Sequence, residues 1–377
     1  MLSEDQQKAV DGIRAWIASA PSGHVASLAG YAGCGKTYVI SMLAKEWQAA
    51  GMRVLFVSPT GKASLVLRQQ MRAAGVDADV MTIHKAIYEP PVEKEGSLHW
   101  TRHGRTVSAT VVVIDEASMV GADLWGDLQV ACEGAAFLAV GDHGQLPPVG
   151  ESAHLLTDPT WRLETIHRQA AGNPVIEFGR LIREESVPAA LTFAKASTDP
   201  RLQVRRLKTR QDNEDAVRWA YSTPDPQDGM IITGTNAERC TINRVARRTF
   251  GFEGSLPVVG DLAIVLRNHH ASGLMNGERA LLSSIRWGEA GIFHTNLTHH
   301  ASPLDQLGAE RTMGMKQVPR SCLLLDYGYA LTCHKAQGSQ AARVVVSMSS
   351  IGWLRDDLPR WLYTASTRAQ DALLLVS

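Results

Sequence analysis

Through the first 150 positions, short apolar runs alternate with stretches of helical spacing. His24 to Leu28 reads as a strand ending in a glycine-rich turn, and Thr37 to Ala49 reads as a helix. Val54 to Val57 has the length of a buried strand and precedes helical periodicity from Lys62 to Ala73. Val111 to Ile114 and Phe137 to Val140 repeat the strand pattern, each leading to an acidic residue. Strands alternating with helices predict right-handed βαβ crossovers and a parallel sheet. Ligands on such sheets lie at the carboxyl ends of the strands, where the glycines and acids of this chain fall.

A second set of strand-length runs, Met230 to Thr233, Arg343 to Ser347 and Ala372 to Val376, predicts a second α/β lobe. Two segments break the rhythm. Glu89 to Thr106 holds two prolines, a Glu-Gly turn signal and many charges. It is too polar for a core and too long for an ordinary loop. Gly254 to Gly328 is rich in short β-like runs, among them Val258 to Leu266 and Leu274 to Glu278, which suggest a hairpin and a small β insertion. There is no fixed-period repeat and no low-complexity tract. The expected organisation is two α/β lobes, each carrying an insertion.

The length, 377 residues, suits two or three domains. With 45% hydrophobic and 20% charged residues, a disordered or collagen-like chain is excluded. Lys plus Arg is 38 and Asp plus Glu is 38, so the net charge is zero. That balance rules out a polycationic tail but leaves room for a local basic groove. The start, Met1-Leu2-Ser3-Glu4-Asp5, lacks a basic region and an apolar core, so no signal peptide is expected. No run of 18 apolar residues occurs, so no membrane span is expected. Cys34, Cys132, Cys240, Cys322 and Cys333 form no C-x-x-C pair, which favours reduced thiols in a cytosol over disulfides or zinc.

The strongest chemical signal is Gly30-Tyr31-Ala32-Gly33-Cys34-Gly35-Lys36-Thr37, a full G-x-x-x-x-G-K-T phosphate loop. Glycines let backbone N–H groups turn toward phosphate oxygens. Lys36 reaches the β and γ phosphates, and the Thr37 hydroxyl suits Mg²⁺. The following helix adds its positive N-terminal end. A plain glycine turn can share this spacing, but here it follows an apolar strand and opens a helix, as the mechanism requires. Val111 to Glu116 supplies the partner acids: Asp115 for the Mg²⁺ shell, Glu116 to orient or deprotonate the attacking water. Gln145, in Gly141-Asp142-His143-Gly144-Gln145-Leu146-Pro147-Pro148, offers an amide suited to sensing a γ-phosphate. Leu163 to Gln169 and Leu362 to Ala369 each set an arginine, Arg168 and Arg368, among apolar or small residues.

At this point the chain resembles the superfamily 1 helicases, in particular the 5′-to-3′ branch with RecD-like and phage Dda-like enzymes. Leu2-Ser3-Glu4-Asp5-Gln6 is similar to the Q motif, Ser58-Pro59-Thr60-Gly61-Lys62-Ala63 to motif Ia, and Thr82-Ile83-His84-Lys85 to motif Ib. Asp115-Glu116-Ala117-Ser118 resembles motif II and the Gln-Leu-Pro-Pro run motif III. Arg168 falls at motif IV, Tyr329 to Ser339 at motif V, and Arg368 at motif VI. The motifs stand in family order over nearly the whole chain. The resemblance implies ATP and Mg²⁺ as cofactors, with two RecA-like lobes. Gln6 would read adenine. Gly33, Cys34, Gly35, Lys36, Thr37, Asp115 and Gly338 would hold the nucleotide and its ion, and Lys36, Glu116, Gln145, Arg168 and Arg368 would act in hydrolysis. Pro59, Thr60, Lys62, Thr82, His84, Thr332, His334 and Lys335 would line a single-strand track, contacting phosphates without reading sequence. After Gln337-Gly338-Ser339 the family usually has glutamate, whereas this chain has Gln340.

The resemblance also implies boundaries: a first lobe at 1–85 and 107–155, a pin-like hairpin at 86–106, a second lobe at 156–253 and 328–377, and a small β-barrel at 254–327. Trp100, just beyond the Glu95-Gly96-Ser97 turn signal, is either a wedge against the duplex or an anchor at the hairpin base. Two basic groups, Arg201 to Arg210 and Arg244, Arg247 and Arg248, are further candidates for phosphate contact, although charge runs are more often solvated faces. The function expected is an ATP-driven DNA helicase acting on single-stranded and forked duplex DNA. It is expected as a monomer in the cytoplasm of a bacterial or phage-infected cell, with replication or recombination proteins as conceivable partners. A motor subunit of a recombination complex is the alternative, and the absence of a long extra domain at either end leads us to expect a self-contained enzyme. A guanine-nucleotide switch would need Asn-Lys-x-Asp, which the chain lacks.

Overall fold

A computed structural model describes residues 2–19, 22–89, 92–94, 97–104, 106–166, 172–254, 256–268, 274–287, 292–297, 304–308 and 323–377. The chain divides into two compact units, Met1–Ala171 and Gly172–Ser377. The first runs α1 (Glu4–Ala18), β1 (Val25–Gly30), α2 (Lys36–Ala49), β2 (Val54–Ser58), α3 (Gly61–Ala73), β3 (Asp79–Thr82) and α4 (Ile83–Ile87). It continues with β4 (Val92–Lys94), β5 (Ser97–His99), β6 (Val111–Ile114), α5 (Ala122–Ala131), β7 (Ala136–Gly141) and β8 (Trp161–Leu163). Six of these strands form one parallel sheet in the order β3-β2-β6-β7-β1-β8.

Both faces of this sheet are covered, which is why β6 and β7 are apolar without alternation and buried at every position. On one face Val10, Ile13, Ile40 and Leu43 from α1 and α2 pack on Leu28, Phe56 and Leu138. On the other, Ile83, Ile87 and Leu128 pack on Val112, Ile114 and Phe137. The first lobe extends past the boundary expected at 155, because β8 pairs with β1 from Leu28↔Trp161 to Gly30↔Leu163. Three residues are too short to show a period. What holds them is tertiary: Trp161 meets Trp16 edge-on at 6.4 Å and lies against Gly12.

The second unit runs α6 (Pro174–Glu184), α7 (Val187–Ala196), β9 (Leu202–Arg205), α8 (Arg210–Ala220), β10 (Gly229–Thr233) and α9 (Asn236–Thr249). There follow β11 (Leu262–Val265), β12 (Arg279–Trp287), β13 (Ile292–Leu297), β14 (Leu304–Gly308), β15 (Leu323–Tyr327) and β16 (Ala330–Thr332). The unit ends with α10 (Cys333–Ala336), β17 (Ala341–Ser347), α11 (Leu358–Ser366) and β18 (Ala369–Val376). A parallel sheet takes the order β16-β10-β17-β18-β9, and β11 to β15 close into a barrel. Together the two units make an α/β fold with two parallel sheets.

The barrel is fastened to α9 by a buried ion pair. Arg247 Nε donates to Asp261 Oδ1 at 3.0 Å, and the two residues are 3% and 0% exposed. Tyr329 Oη donates to the same oxygen at 3.0 Å, and Val258 N donates to Oδ2 at 2.8 Å. Arg247 therefore leaves the basic face expected for α9, on which Arg244 and Arg248 remain exposed. A carboxylate taken out of water has to be paired, and that requirement outweighs the solvation of one arginine. In the other basic group, Arg201 pairs with Asp199 and Arg210 with Glu214. Among the described residues no helix is long and apolar enough to cross a membrane.

Candidate active site

The phosphate loop joins β1 to α2. Gly33 and Gly35 have φ of 87° and 84°, the left-handed conformation that turns successive amides one way. A Cβ at Gly35 would also lie 2.5 Å from Gln6 Nε2, so the Gln6 carboxamide would have to shift to admit it. Lys36 Nζ donates to the carbonyls of Gly30 at 2.6 Å and Tyr31 at 2.9 Å, so the cation is folded back along the loop. Cys34 is fully buried, and burial pushes its thiol up. Its contribution to the loop is its backbone, with N–H donating to Tyr31 O at 3.3 Å. Gln6 is 4% exposed, and its carboxamide is engaged at both ends. Its Nε2 donates to Cys34 O at 2.9 Å, and its Oε1 accepts from Ser3 N at 3.1 Å. Thr37, in the first turn of α2, stays partly exposed.

The acids follow β6. Asp115 N donates to Val57 O at 2.9 Å, which carries the strand direction one residue beyond Ile114. Burial raises the Asp115 carboxyl pKa, the adjacent Glu116 charge raises it further, and nearby Lys36 opposes both. Glu116 has φ 53°, left-handed for a residue with a side chain. Such a conformation costs about 1–3 kcal/mol and persists only where the surroundings impose it. Here a 3₁₀ turn, Ala117–Met119, follows at once, with Met119 N donating to Glu116 O at 3.0 Å. Gly141 at the end of β7 lets that turn approach, because a Cβ there would stand 3.1 Å from Ala117 N. The reach of the strained acid is thus fixed by two strand ends.

Gln145 is 6% exposed, and its Nε2 lies 3.5 Å from Asp142 Oδ2. Its Oε1 is buried with no hydrogen-bond partner among the described residues, as is Ser118 Oγ beside the acids. Arg368 does not project from its unit. It is 3% exposed, and it donates to Thr364 O at 3.0 Å, Ser339 O at 3.3 Å and Thr367 Oγ1 at 3.1 Å. Arg168 lies outside the described residues. Gly338 forms a left-handed turn, φ 70°, between α10 and β17. Exposed Gln340, which replaces the family's glutamate, accepts from Gln370 Nε2 at 3.0 Å.

The candidate track residues take ordinary structural posts. Thr60 caps α3, accepting from Ala63 N at 3.2 Å, and Thr82 caps α4, accepting from Lys85 N at 3.1 Å. A capping oxygen acts as acceptor, so each hydroxyl proton stays available to donate to a phosphate. Pro59 and Lys62 flank Thr60, both partly exposed. In the second unit Thr332 precedes α10, His334 is exposed, and Lys335 donates to Asn276 Oδ1 in the turn before β12. Partial burial lowers the pKa of Lys335.

At the hairpin, β4 and β5 pair from Val92↔His99 to Lys94↔Ser97, while the Glu95-Gly96 turn lies outside the described residues. Below it, Glu89 N donates to Thr101 O and His103 N to Ile87 O, both at 2.9 Å. Trp100 is 43% exposed and sits 4.9 Å from the His84 ring and 5.6 Å from Tyr88. Tyr88 in turn donates to Asp127 on α5. Tyr88 is the participant that motif reading passes over; its signal is an aromatic four positions after His84. This packing favours the anchor. Trp100→Ala is expected to destabilise the first unit by about 1–3 kcal/mol, a half-buried aromatic with two ring partners. An unchanged melting temperature together with lost duplex unwinding would instead make Trp100 a wedge.

Residues 1–200 match the AAA domain family, and residues 327–376 match the UvrD-like helicase C-terminal domain. The chain is 26% identical to the ATP-dependent RecD2 DNA helicase of Deinococcus radiodurans, covering 98% of this chain and 48% of that protein. It is 27% identical to the conjugal transfer protein TraA of Agrobacterium fabrum, covering 99% of this chain and 32% of the relative. The chain therefore spans about half, or less, of the length of these curated relatives. Among solved structures, Bacteroides Pif1 bound to ssDNA shares the fold with a TM-score of 0.58 at 17% identity, covering 100% of this chain and 92% of that one. The chain belongs to the AAA domain family.

Proposed function

We propose that this chain is an ATP-driven motor that moves 5′ to 3′ along single-stranded DNA and unwinds duplex DNA. The observation that carries this reading is a single sheet edge. In the order β3-β2-β6-β7-β1, the carboxyl ends present Thr82, then Pro59 and Thr60, then Asp115 and Glu116, then Gln145, then the phosphate loop. Engine and track residues share one rigid row, with the acids between them. A change in nucleotide state at one end of the row has a short, packed route to the other. RecD2, to which the chain is similar along almost its entire length, is named an ATP-dependent DNA helicase.

In this reading Lys36 leaves the Gly30 and Tyr31 carbonyls for the β and γ phosphates, and Glu116 orients and deprotonates the attacking water. Gln145 reports on the γ-phosphate, and Arg368 and Arg168 stabilise the charge of the transition state. Thr37 and Asp115 would hold Mg²⁺, being hard oxygen donors close to Lys36. The ion would neutralise charge on the phosphate oxygens. Among the described residues no group of three or more His, Cys, Asp or Glu is placed to bind a metal, which fits an ion that draws its other ligands from phosphate and water. The motor would act as a single chain in a reducing cytosol; the described cysteines Cys34, Cys132, Cys240 and Cys333 are all free.

The test is ATP hydrolysis with and without single-stranded DNA, followed by unwinding of duplexes bearing a 5′ or a 3′ tail. Stimulation by DNA and unwinding from the 5′ tail alone are expected. Unwinding only from a 3′ tail overturns the direction, and hydrolysis indifferent to DNA overturns the motor.

A further inference from the structure

We infer that Asp5 is a positioning residue for recognition of the nucleotide base, holding the Gln6 carboxamide in one orientation and clamping the exit of β8 to the same helix start. The inference rests on the reading of Gln6 as the residue that meets the base. A first-turn acid ordinarily serves a helix by complementing its dipole and faces solvent. Glu4 does so, paired with Lys8 on the surface. Asp5, the next residue, does something different.

Its Oδ2 accepts from two consecutive amides 160 residues further along, Glu164 N and Thr165 N, both at 2.8 Å. Its Oδ1 accepts from Gln6 N at 2.9 Å and from the Ser3 hydroxyl. Partial burial alone would raise the Asp5 pKa, but these four donors outweigh it and keep the carboxyl well below the usual range. Glu164 directly follows Leu163, which pairs with Gly30, the first glycine of the phosphate loop. One carboxylate thus joins the start of α1, the flank of the loop and the chain that leaves β8 toward the second unit.

The consequence for Gln6 follows from counting hydrogen-bond sites. Ser3 N–H occupies one lone pair of Oε1 and Cys34 O takes one proton of Nε2, leaving one acceptor and one donor. A flipped amide would set its oxygen against Cys34 O and its protons against Ser3 N–H, so the orientation is unique. Adenine offers N7 as acceptor and its N6 amino group as donor, matching that pair; guanine offers two acceptors, N7 and O6. Discrimination requires the amide to stay unflipped. That depends on Ser3 and the first turn, which Asp5 Oδ1 braces.

The test compares kcat/KM for ATP and GTP, with saturating single-stranded DNA, in the wild type, Gln6→Ala, Asp5→Asn and the double variant. Both substrates meet the same molecules, so a loss of folded enzyme cancels in the ratio, and a merely structural role would leave it unchanged. Gln6→Ala and Asp5→Asn should each lower the ATP:GTP ratio about tenfold, the loss of one oriented hydrogen bond. The double variant should fall no further than Gln6→Ala, because the two act as one unit. In Asp5→Asn, hydrogen exchange at the Glu164 and Thr165 amides should quicken. If Gln6→Ala lowers the ratio and Asp5→Asn leaves it unchanged, Asp5 has no positioning role while the reading of Gln6 stands. If Gln6→Ala itself keeps the wild-type ratio, the reading of Gln6 falls and Asp5 with it. Unchanged exchange at both amides overturns the clamp. Should Asp5→Asn not fold, Ser3→Ala removes only the hydroxyl that braces Oδ1; a lowered ratio there supports the inference and an unchanged one overturns it.

Discussion

Lys36→Ala is expected to reduce ATP turnover by at least about 10³-fold, to the background of the assay, while leaving the fold intact. In the proposed function the lysine carries the charge that meets the β and γ phosphates, and it is the one cation in the sequence of the loop, Gly30 to Thr37. Stability should change little. Lys36 is partly exposed and opens α2, whereas the helix is held by Val39, Ile40 and Leu43, buried against Leu28 and Phe56. Removing the Nζ does free two carbonyls, Tyr31 O on a partly exposed residue and Gly30 O on a buried one, a loss of about 1 kcal/mol rather than a collapse of the unit. Steady-state ATPase and thermal melting on the same preparation check both halves. Near wild-type hydrolysis in the variant overturns the phosphate-loop assignment, and a collapse in melting temperature moves Lys36 from chemistry to structure.

What the sequence made legible was local. A phosphate loop is a run of adjacent residues whose function depends on left-handed glycines, so Gly33 and Gly35 could be read directly from the chain. The strands were visible wherever burial on both faces demanded continuous apolar runs, as in β6 and β7. Features set by distant partners were hidden. β8 is three residues long and exists because β1 has a free edge and Trp161 has Trp16 to meet. The left-handed backbone of Glu116 is imposed by the turn after it and by the space Gly141 leaves. Periodicity gave Arg247 the same standing as Arg244 and Arg248, and only Asp261, 14 residues away in the chain, decided that it goes inside. At Thr60 and Thr82 the signals for a helix cap and for a phosphate contact coincide, since one hydroxyl can accept from the backbone and still donate outward.

Arg368 joins these two kinds of information, because its motif marks it for chemistry and its surroundings mark it for structure. Arg368→Ala should therefore have two separable effects. Loss of the guanidinium removes the Arg368 donor from Ser339 O, at a residue only 2% exposed, while Thr364 O keeps the Thr367 hydroxyl, a destabilisation of about 1–3 kcal/mol for the second unit. If the arginine also stabilises the transition state, kcat at saturating ATP should fall on the order of 10³-fold, far more than a small folding deficit can cause. Apparent ATP affinity should move much less, because contacts made at the transition state do not hold the ground state. Arg368→Lys sharpens the distinction: a single ammonium keeps the charge but cannot make the guanidinium's spread of bonds to Thr364, Ser339 and Thr367. It should recover part of kcat and little of the stability. The measurement is kcat and KM for ATP in both variants, corrected for the folded fraction from melting curves taken at the assay temperature. A variant that melts lower but keeps wild-type turnover per folded molecule would make Arg368 a strut between α11 and the turn that carries Ser339, and the cation for hydrolysis would have to come from elsewhere in the chain.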